Sequence, residues 1–358
     1  MIQAINLPYV SIIVLNYNSK QYLPACFDSL SKINYPKGRY EVLMPDNASS
    51  DGSVEFVTRE FPWVTVLINN RNYGFAEANN QAAAVAKGEY IAFLNPDTVV
   101  HENWLIKLVK AMKADEAVAC CGGKVLFLGD RNIIQNAGHK MSLIGLACNV
   151  GLGERDSPKF NTPGYTLHAS GCAMLVRKDV FFQVGGFDPD YFMYVEETDF
   201  GLRLWLYGYK VAYVPTSVAY HELAGSFESK FTPFHVFHAE KNRLATLVKN
   251  LEWNSVFRGM TVSFFYSLVK LVKFLKGRRT DLIRAMFAGK VAFARELPKI
   301  IEKRQVVQRN RKVSDRELYR LGLLAPLKQC VKEFMRLRRI KRREYLKSVL
   351  QARSSWGL

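Results

Sequence analysis

Four short apolar runs, separated by helix-like segments, constrain the fold of this chain more than any other feature. The runs cover residues 10–15, 40–44, 64–68 and 90–94. Mostly apolar runs of this length, here broken only by Ser11, Glu41 and Thr65, are typical of strands buried on both faces. Helix-like patterns lie near residues 20–32, 52–60, 75–87 and 102–113. This alternation predicts an α/β fold with a mostly parallel sheet and helices on both faces.

Polar side chains stand where three of these runs end. Asn16 and Asn18 follow the first run, Asp46 follows the second, and Asn95 and Asp97 follow the fourth. Ligands of open α/β sheets bind at the carboxyl ends of the strands. Any one of these residues could instead simply start a turn, but three aligned occurrences favour a site for a polar ligand.

The turn around Gly74 is a second candidate for ligand contact. Gly74 allows a close approach of the backbone, and the helix that begins there directs its N–H groups towards an anion. Asn72 precedes the glycine and Asn79 lies in the following helix. A plain glycine turn before a helix is the alternative interpretation.

Asp97 is a candidate metal ligand. A carboxylate at a strand end suits a hard cation such as Mg²⁺ or Mn²⁺, which takes one or two protein oxygens and completes its coordination with diphosphate oxygens. The alternative is a turn built by residues 95–97.

The third candidate element is an acidic cluster, Glu196, Glu197 and Asp199, in the first turn of a predicted helix. The helix dipole stabilises acids at this position, and Asp199 with Arg203 four residues later predicts a structural ion pair. Consecutive residues on a helix point about 100° apart. We therefore expect one of Glu196 and Glu197 to act as a base while the other orients it or stabilises the fold.

Taken in order, these motifs resemble glycosyltransferase family 2, enzymes of the GT-A fold, and in particular its rhamnosyltransferase-like branch. The resemblance extends over roughly residues 8–227. The residues that carry it lie in segments 10–18, 46–51, 72–75, 88–97, 171–177, 185–188 and 196–199, together with His221 and Gly225.

The resemblance implies a donor site and a metal site. Asp46 would contact the nucleotide base. Asp97 would bind Mg²⁺ or Mn²⁺ at the place of the family's DxD motif, although Asn95 replaces its first acid, and His221 would complete the metal site. The expected donor-binding residues are Asn16, Asn18, Asp46, Asn72, Gly74, Asn79 and Asn95.

The resemblance also implies an inverting, metal-dependent transfer of a sugar. Glu197 stands where the family's catalytic base is usually an aspartate, and Glu196 and Asp199 are the alternatives. The donor would be a nucleoside-diphosphate sugar, with dTDP-rhamnose favoured and UDP-activated galactofuranose, glucose or N-acetylglucosamine left open. The acceptor would be a hydroxyl of a lipid-linked or other cell-envelope glycan.

The positive charge of the chain is concentrated in its last third. The net charge is +18, yet 30 of the 50 Lys and Arg residues and only 8 of the 32 Asp and Glu residues lie beyond residue 240. This asymmetry predicts two regions, a GT-A domain over residues 1–235 and a basic, mostly helical region over residues 236–358.

Apolar and basic residues alternate in this second region, notably over residues 256–274 and 336–343. The pattern is typical of helices in an anionic lipid interface, where each basic group contributes about 1 kcal/mol. We therefore expect peripheral binding at the cytoplasmic face of a membrane. A helical bundle with a solvated basic face is the alternative.

Other classes are less well supported. No helix-turn-helix, zinc-finger or RNP-like signature accompanies the basic residues, so we expect no nucleic-acid partner. A nucleotidyltransferase would need a glycine-rich loop after the first strand, which residues 16–20 do not contain. The six cysteines show no metal-ligand spacing and are predicted to be reduced.

Overall fold

A mixed sheet with helices on both faces forms the centre of the molecule. The computed structural model describes residues 7–222 and 232–332. Its strands are β1 (Val10–Val14), β2 (Tyr40–Asp46), β3 (Val64–Ile68), β4 (Tyr90–Leu94), β5 (Thr98–Val100), β6 (Val118–Phe127), β7 (Ile134–Asn136), β8 (His139–Ser142), β9 (Ala147–Asn149), β10 (Gly164–Tyr165), β11 (Ala173–Arg177), β12 (Lys210–His221) and β13 (Leu324–Ala325). Its helices are α1 (Leu23–Ser31), α2 (Ser53–Glu60), α3 (Gly74–Val85), α4 (Trp104–Ala114), α5 (Lys178–Gln183), α6 (Glu196–Leu206), α7 (Pro233–Asn250), α8 (Trp253–Lys276), α9 (Thr280–Arg309) and α10 (Asp315–Arg320).

The first four long strands are parallel, as their sequence pattern predicts. The main sheet has the order β10-β12-β6-β11-β4-β1-β2-β3, with β5 added beside β12 and β7 beside β6. β1 lies between β2 and β4, with Ile12 opposite Val42 on one side and Ala92 on the other. The polar residues that follow β1, β2 and β4 therefore meet at one edge of the sheet.

The second half of the sheet is mixed and differs from the sequence prediction in two places. A strand is expected over residues 166–177, but β11 begins only at Ala173. The preceding residues instead cross between two sheets, since Thr166 N donates to Val211 O and Leu167 N donates to His139 O. A strand is also expected to end at residue 214. β12 continues to His221, with its pairing to β6 shifted between Val214 and Val218.

Alternate residues of the central strands enter two cores. Ile12 belongs to a cluster that α1 and α4 cover, and Ile13 belongs to a cluster on the other face, which α3, α5, α6 and α7 cover. This is the period of two expected for strands buried on both sides. The predicted fold class, GT-A followed by a mostly helical region, is confirmed.

The basic region begins with a helix that belongs to the core. The second half of α7, residues 240–250, is buried throughout, and Leu244 and Leu247 join the same cluster as Leu204 of α6. α9 packs closely along α7, because a Cβ on Gly289 would lie only 2.5 Å from Phe237 O. The predicted region boundary at residue 235 is thus crossed by one continuous core. Gly225 and residues 336–343 lie outside the described residues.

Within the described part of the chain, no helix combines the length and apolar character needed to span a bilayer. All six cysteines are buried thiols.

Candidate active site

The ends of β1 and β2 are joined by a buried hydrogen-bond cluster. Asn16 Nδ2 donates to Asp46 Oδ1 at 2.6 Å and to Ser49 Oγ at 3.0 Å, while Ser49 N donates to Asp46 Oδ2 at 2.8 Å. Asp46 is 1% exposed, and both of its oxygens already accept hydrogen bonds. The more exposed Asn18 accepts from Ser50 N at 2.8 Å. The structure therefore brings Asn16, Asn18 and Asp46 together around one loop.

Asn47 links this loop to the turn at Gly74. Its Nδ2 donates to Gly74 O at 3.0 Å and to Asn72 Oδ1 at 3.2 Å, and Asn72 Oδ1 also accepts from Gly74 N at 2.8 Å. The sequence pattern predicts no role for Asn47, and its position directly after Asp46 is the only signal that points to it. Gly74 has φ +76°, and a Cβ there would lie 2.4 Å from Phe192 O. The chain's own backbone, as well as any ligand, thus requires glycine at this position.

Asn79 lies away from these loops. It is buried within α3, and its Nδ2 donates to Phe75 O at 2.9 Å, one turn earlier in the same helix. This bond accounts for the side chain without a ligand, so donor contact by Asn79 stays a prediction that this geometry does not favour.

Asp97 and His221 face each other across the end of β5 and β12. The pairing of these strands sets His221 opposite Thr98, and His221 Nε2 lies 3.1 Å from Asp97 Oδ1. Both side chains are largely buried, and apart from this contact with each other neither atom has a hydrogen-bond partner among residues 7–222 and 232–332. The extension of β12 beyond residue 214 thus brings together two residues that are 124 positions apart in the sequence.

Gln135 orients the imidazole of His221. Gln135 Oε1 lies 2.9 Å from His221 Nδ1, and because an amide oxygen can only accept, this contact assigns the proton to Nδ1. When Nε2 carries no proton, its lone pair faces the Asp97 carboxylate oxygen. A divalent cation between them fits two such acceptor atoms, and a hydrogen bond from the second ring nitrogen is the usual support for a metal-binding histidine.

These two ligands would need further ones. In the described ranges, no group of three or more His, Cys, Asp and Glu side chains is arranged around a common point. The donor set therefore fits a cation such as Mg²⁺ or Mn²⁺ that also binds phosphate oxygens.

Glu197 lies next to the loop that precedes β11. A Cβ on Gly171 would lie 3.9 Å from Glu197 Cδ and 3.7 Å from Phe75 Cζ. The next residue, Cys172, accepts a hydrogen bond from Asn95 N at 3.0 Å. Burial raises the pKa of the Cys172 thiol to about 12, and the charges of Asp97 and Glu197 add to that rise. The two carboxylates therefore flank one short loop.

Glu196 and Glu197 have different surroundings, as their helical spacing predicts. Glu196 is buried, and its Oε2 has no hydrogen-bond partner among the described residues. Burial, together with the neighbouring charge of Glu197, raises its pKa well above the usual range for glutamate. Glu197 is only partly buried, so it is the acid of this pair that can reach a ligand.

Asp199 belongs to a buried ion network. Burial alone would raise its pKa, but Lys249 and Arg203 outweigh that effect and lower it. Arg203 Nη2 lies 2.8 Å from Asp199 Oδ2, which confirms the predicted pair. The remaining oxygen faces Lys249 at 2.8 Å and accepts from Asn250 at 2.7 Å. This arrangement leaves Asp199 no access to a substrate.

The chain is similar to known glycosyltransferases in sequence and fold. Residues 11–185 match the family model for glycosyl transferase family 2. Glycosyltransferase AglE of Haloferax volcanii is 34% identical over 125 residues, 34% of this chain and 40% of that protein. The N-acetylglucosaminyl-diphospho-decaprenol L-rhamnosyltransferase of Mycobacterium tuberculosis is 28% identical over 240 residues, 60% of this chain and 76% of that protein.

The fold comparison agrees. The mannosyltransferase of Pyrobaculum calidifontis, solved with GDP-Man and Mn²⁺, superposes with a TM-score of 0.53 at 16% identity, covering 82% of this chain and 87% of that one. The sheet and its helices define the GT-A fold, and the family match and the relatives identify a glycosyltransferase. More narrowly, residues 11–185, nearly half of the chain, match glycosyltransferase family 2, and the relatives of the chain include rhamnosyltransferases.

Proposed function

We propose that this protein is an inverting glycosyltransferase that moves a sugar from a nucleoside-diphosphate donor to a hydroxyl of a lipid-linked or cell-envelope glycan. The observation that carries the proposal is the facing pair of Asp97 and His221, with Glu197 across the loop at Gly171. dTDP-rhamnose is the favoured donor, because the mycobacterial relative is named as an L-rhamnosyltransferase acting on a decaprenyl-diphosphate glycan.

Asp97 Oδ1 and His221 Nε2 would hold Mg²⁺ or Mn²⁺, with Gln135 keeping the imidazole in the required tautomer. A divalent cation at this point supplies positive charge to the diphosphate leaving group. Because Asn95 adds no charge, the protein contributes one carboxylate, and the donor phosphates would supply the remaining ligands.

The donor nucleotide would lie over the loops that follow β1, β2 and β3. Asn18 and Asn72 are the more accessible of the predicted contacts, whereas Asn16 and Asp46 are buried and shape the loop. We propose that Asp46 acts on the nucleotide largely by holding Ser49 and Asn16 in place.

Glu197 would be the catalytic base. It takes the proton of the acceptor hydroxyl as that oxygen forms a bond to the anomeric carbon. The bond from this carbon to the diphosphate breaks, and the nucleoside diphosphate leaves with the bonding electrons. Attack opposite the leaving group inverts the anomeric centre. Burial raises the pKa of the neighbouring Glu196, which favours its uncharged form and so limits the negative charge beside Glu197.

We further propose that α8 rests on an anionic membrane surface. This helix buries Gly259, Ser263 and Ser267 together with Val256 and Phe274, and exposes most of its other large apolar residues. The exposed set is Trp253, Phe257, Val262, Phe264, Phe265, Leu268, Val269, Val272 and Leu275. The exposed basic residues Lys273 and Lys276 lie in its last turn. An apolar face with basic groups beside it suits an anionic lipid interface, which is where a lipid-linked acceptor is found.

Donor binding and transfer test the main proposal together. The protein is heated with dTDP, UDP, GDP or CDP, each with Mn²⁺, Mg²⁺ or EDTA; a hundredfold excess over Kd stabilises the fold by about 2.7 kcal/mol. Transfer is then followed from dTDP-rhamnose and from UDP-sugars to a synthetic polyprenyl-diphosphate N-acetylglucosamine. We expect a metal-dependent shift with dTDP and an inverted rhamnosyl product. Well-folded protein that neither binds a nucleotide nor transfers a sugar would overturn the proposal.

A further inference from the structure

The segment that leads into α6 has an unusual backbone. Phe192, Tyr194 and Val195 have φ values of 60°, 72° and 75°, a region that residues with a side chain rarely adopt. For a β-branched residue such as Val195 this conformation is a clear outlier, and it persists only where the surrounding structure imposes it.

Asn242 of α7 imposes this conformation. Its Nδ2 lies 2.9 Å from Tyr191 O, 3.0 Å from Met193 O and 2.8 Å from Tyr194 O. The two amide hydrogens thus face three carbonyl oxygens of the strained segment, all within residues 191–194. The side chain is fully buried.

Packing alone does not explain this residue. Asn242 Oδ1 is buried and has no hydrogen-bond partner among the described residues, which costs free energy that a leucine of similar size would avoid. The oxygen of this amide is unused, whereas its nitrogen donates to the backbone. The position therefore requires the hydrogen-bond donor of the amide.

The strained segment connects both halves of the proposed active site. Phe192 O accepts from Phe75 N at 2.6 Å and blocks any side chain at Gly74, on the donor side. Val195 is the residue from which α6 begins, immediately before Glu196 and Glu197. A shift of this backbone would move the donor turn and the base relative to each other.

We propose that Asn242 is a positioning residue, which holds segment 191–195 in its left-handed conformation and so fixes Glu197 relative to the donor. This inference rests on the proposed glycosyl transfer for its effect on turnover. Its structural part, the hold on the segment, can be measured without any activity.

The test compares Asn242→Leu with Gln308→Leu. Gln308 is a matched control, since its side-chain amide also donates to two backbone carbonyls, those of Lys249 at 3.2 Å and Asn250 at 3.0 Å, at the far end of the same helix. Hydrogen–deuterium exchange of the peptide covering residues 189–199, the melting temperature and steady-state kinetics are measured for both variants.

We expect Asn242→Leu to raise the exchange rate in residues 191–195 about tenfold and to lower kcat about 100-fold, with donor KM nearly unchanged. Gln308→Leu should lower the melting temperature without either effect. Unchanged exchange in Asn242→Leu would overturn the inference, and so would faster exchange with wild-type kcat. If the wild-type protein transfers no sugar, the proposed function fails, and exchange alone decides whether Asn242 holds the segment.

Discussion

Lys249 of α7 lies 2.8 Å from Asp199 of α6, and both side chains are buried. The same ammonium group also pairs with Asp188. The acidic cluster of the candidate site is therefore held by a helix from the basic region. A truncation that removes α7 would expose the core of the transferase domain, so such a deletion does not isolate membrane binding.

Replacing Lys249 with methionine should destabilise the fold strongly. The change leaves Asp199 and Asp188 with less compensating charge in the interior, and breaking a buried pair in this way costs about 3–5 kcal/mol. Urea unfolding measures the loss. Lys299→Met is the control, because Lys299 pairs with Asp190 but is 58% exposed, and exposed pairs contribute under about 1 kcal/mol. Equal losses in the two variants would contradict this prediction.

Glu240 should make the stability depend on pH. Burial alone would raise its pKa, but Arg243 and Lys270 outweigh that effect and lower the pKa to about 2. A lowered folded pKa stabilises the fold above the unfolded value of about 4.3, and this contribution disappears as the pH falls towards 2. The unfolding free energy of Glu240→Gln should therefore fall below that of the wild type at pH 7, and the gap should narrow below about pH 4 and close only as the pH approaches about 2. A gap independent of pH would exclude this origin.

The sheet and its active edge could be predicted because their signals are local. Apolar runs such as residues 10–15 and 40–44 predict buried strands. Because parallel strands end at the same edge of a sheet, the residues that follow them meet there. The pairing of Asp97 with His221 required the resemblance to a family. No local pattern indicates that β12 continues past Pro215 with a shifted register.

The supporting residues could not be predicted, because their partners are distant in sequence. Gln135 lies 86 positions from His221, and Asn242 lies 51 positions from Tyr191. For the same reason, the sequence predicts helices in the basic region but not that α7 packs into the core. From the sequence alone, Lys249 is expected to be a surface or lipid-facing charge. In the fold it pairs with Asp188 and Asp199.

Glu197→Gln should abolish most of the transfer while leaving donor binding intact. Loss of a general base lowers kcat by about 10²–10⁴-fold, and the glutamine keeps the size of the side chain. Glu196→Gln should cost far less, because Glu196 is buried and its raised pKa favours the neutral carboxyl, which glutamine resembles. Steady-state kinetics and nucleotide-induced thermal shifts distinguish the two variants. Turnover retained in Glu197→Gln would exclude Glu197 as the base.

Gln135→Leu should weaken metal binding without changing either proposed ligand. The substitution removes the acceptor for His221 Nδ1, and loss of such a supporting bond lowers metal affinity about 10–100-fold. Calorimetric titration of Mn²⁺ in the presence of dTDP measures the change. Gln183→Leu is the control, since Gln183 accepts only from the exposed Tyr209 hydroxyl. Identical Mn²⁺ affinity in both variants would argue against a metal at Asp97 and His221.

Membrane binding should depend on the exposed aromatic residues of α8. Phe264 and Phe265 are each 60% exposed, and replacing both with serine removes apolar area from the proposed lipid face at about 25 cal/mol per Å². Phe182→Ser on α5 is the control, as that ring is also exposed but lies on another helix. Sedimentation with vesicles of phosphatidylglycerol and of phosphatidylcholine measures binding.

We expect the wild type and Phe182→Ser to pellet with the anionic vesicles, less so at high salt, and the double variant to stay in the supernatant. If all three proteins pellet alike, α8 does not contact lipid. If the wild type sediments in a concentration-dependent way without vesicles, this face instead forms contacts between copies of the chain.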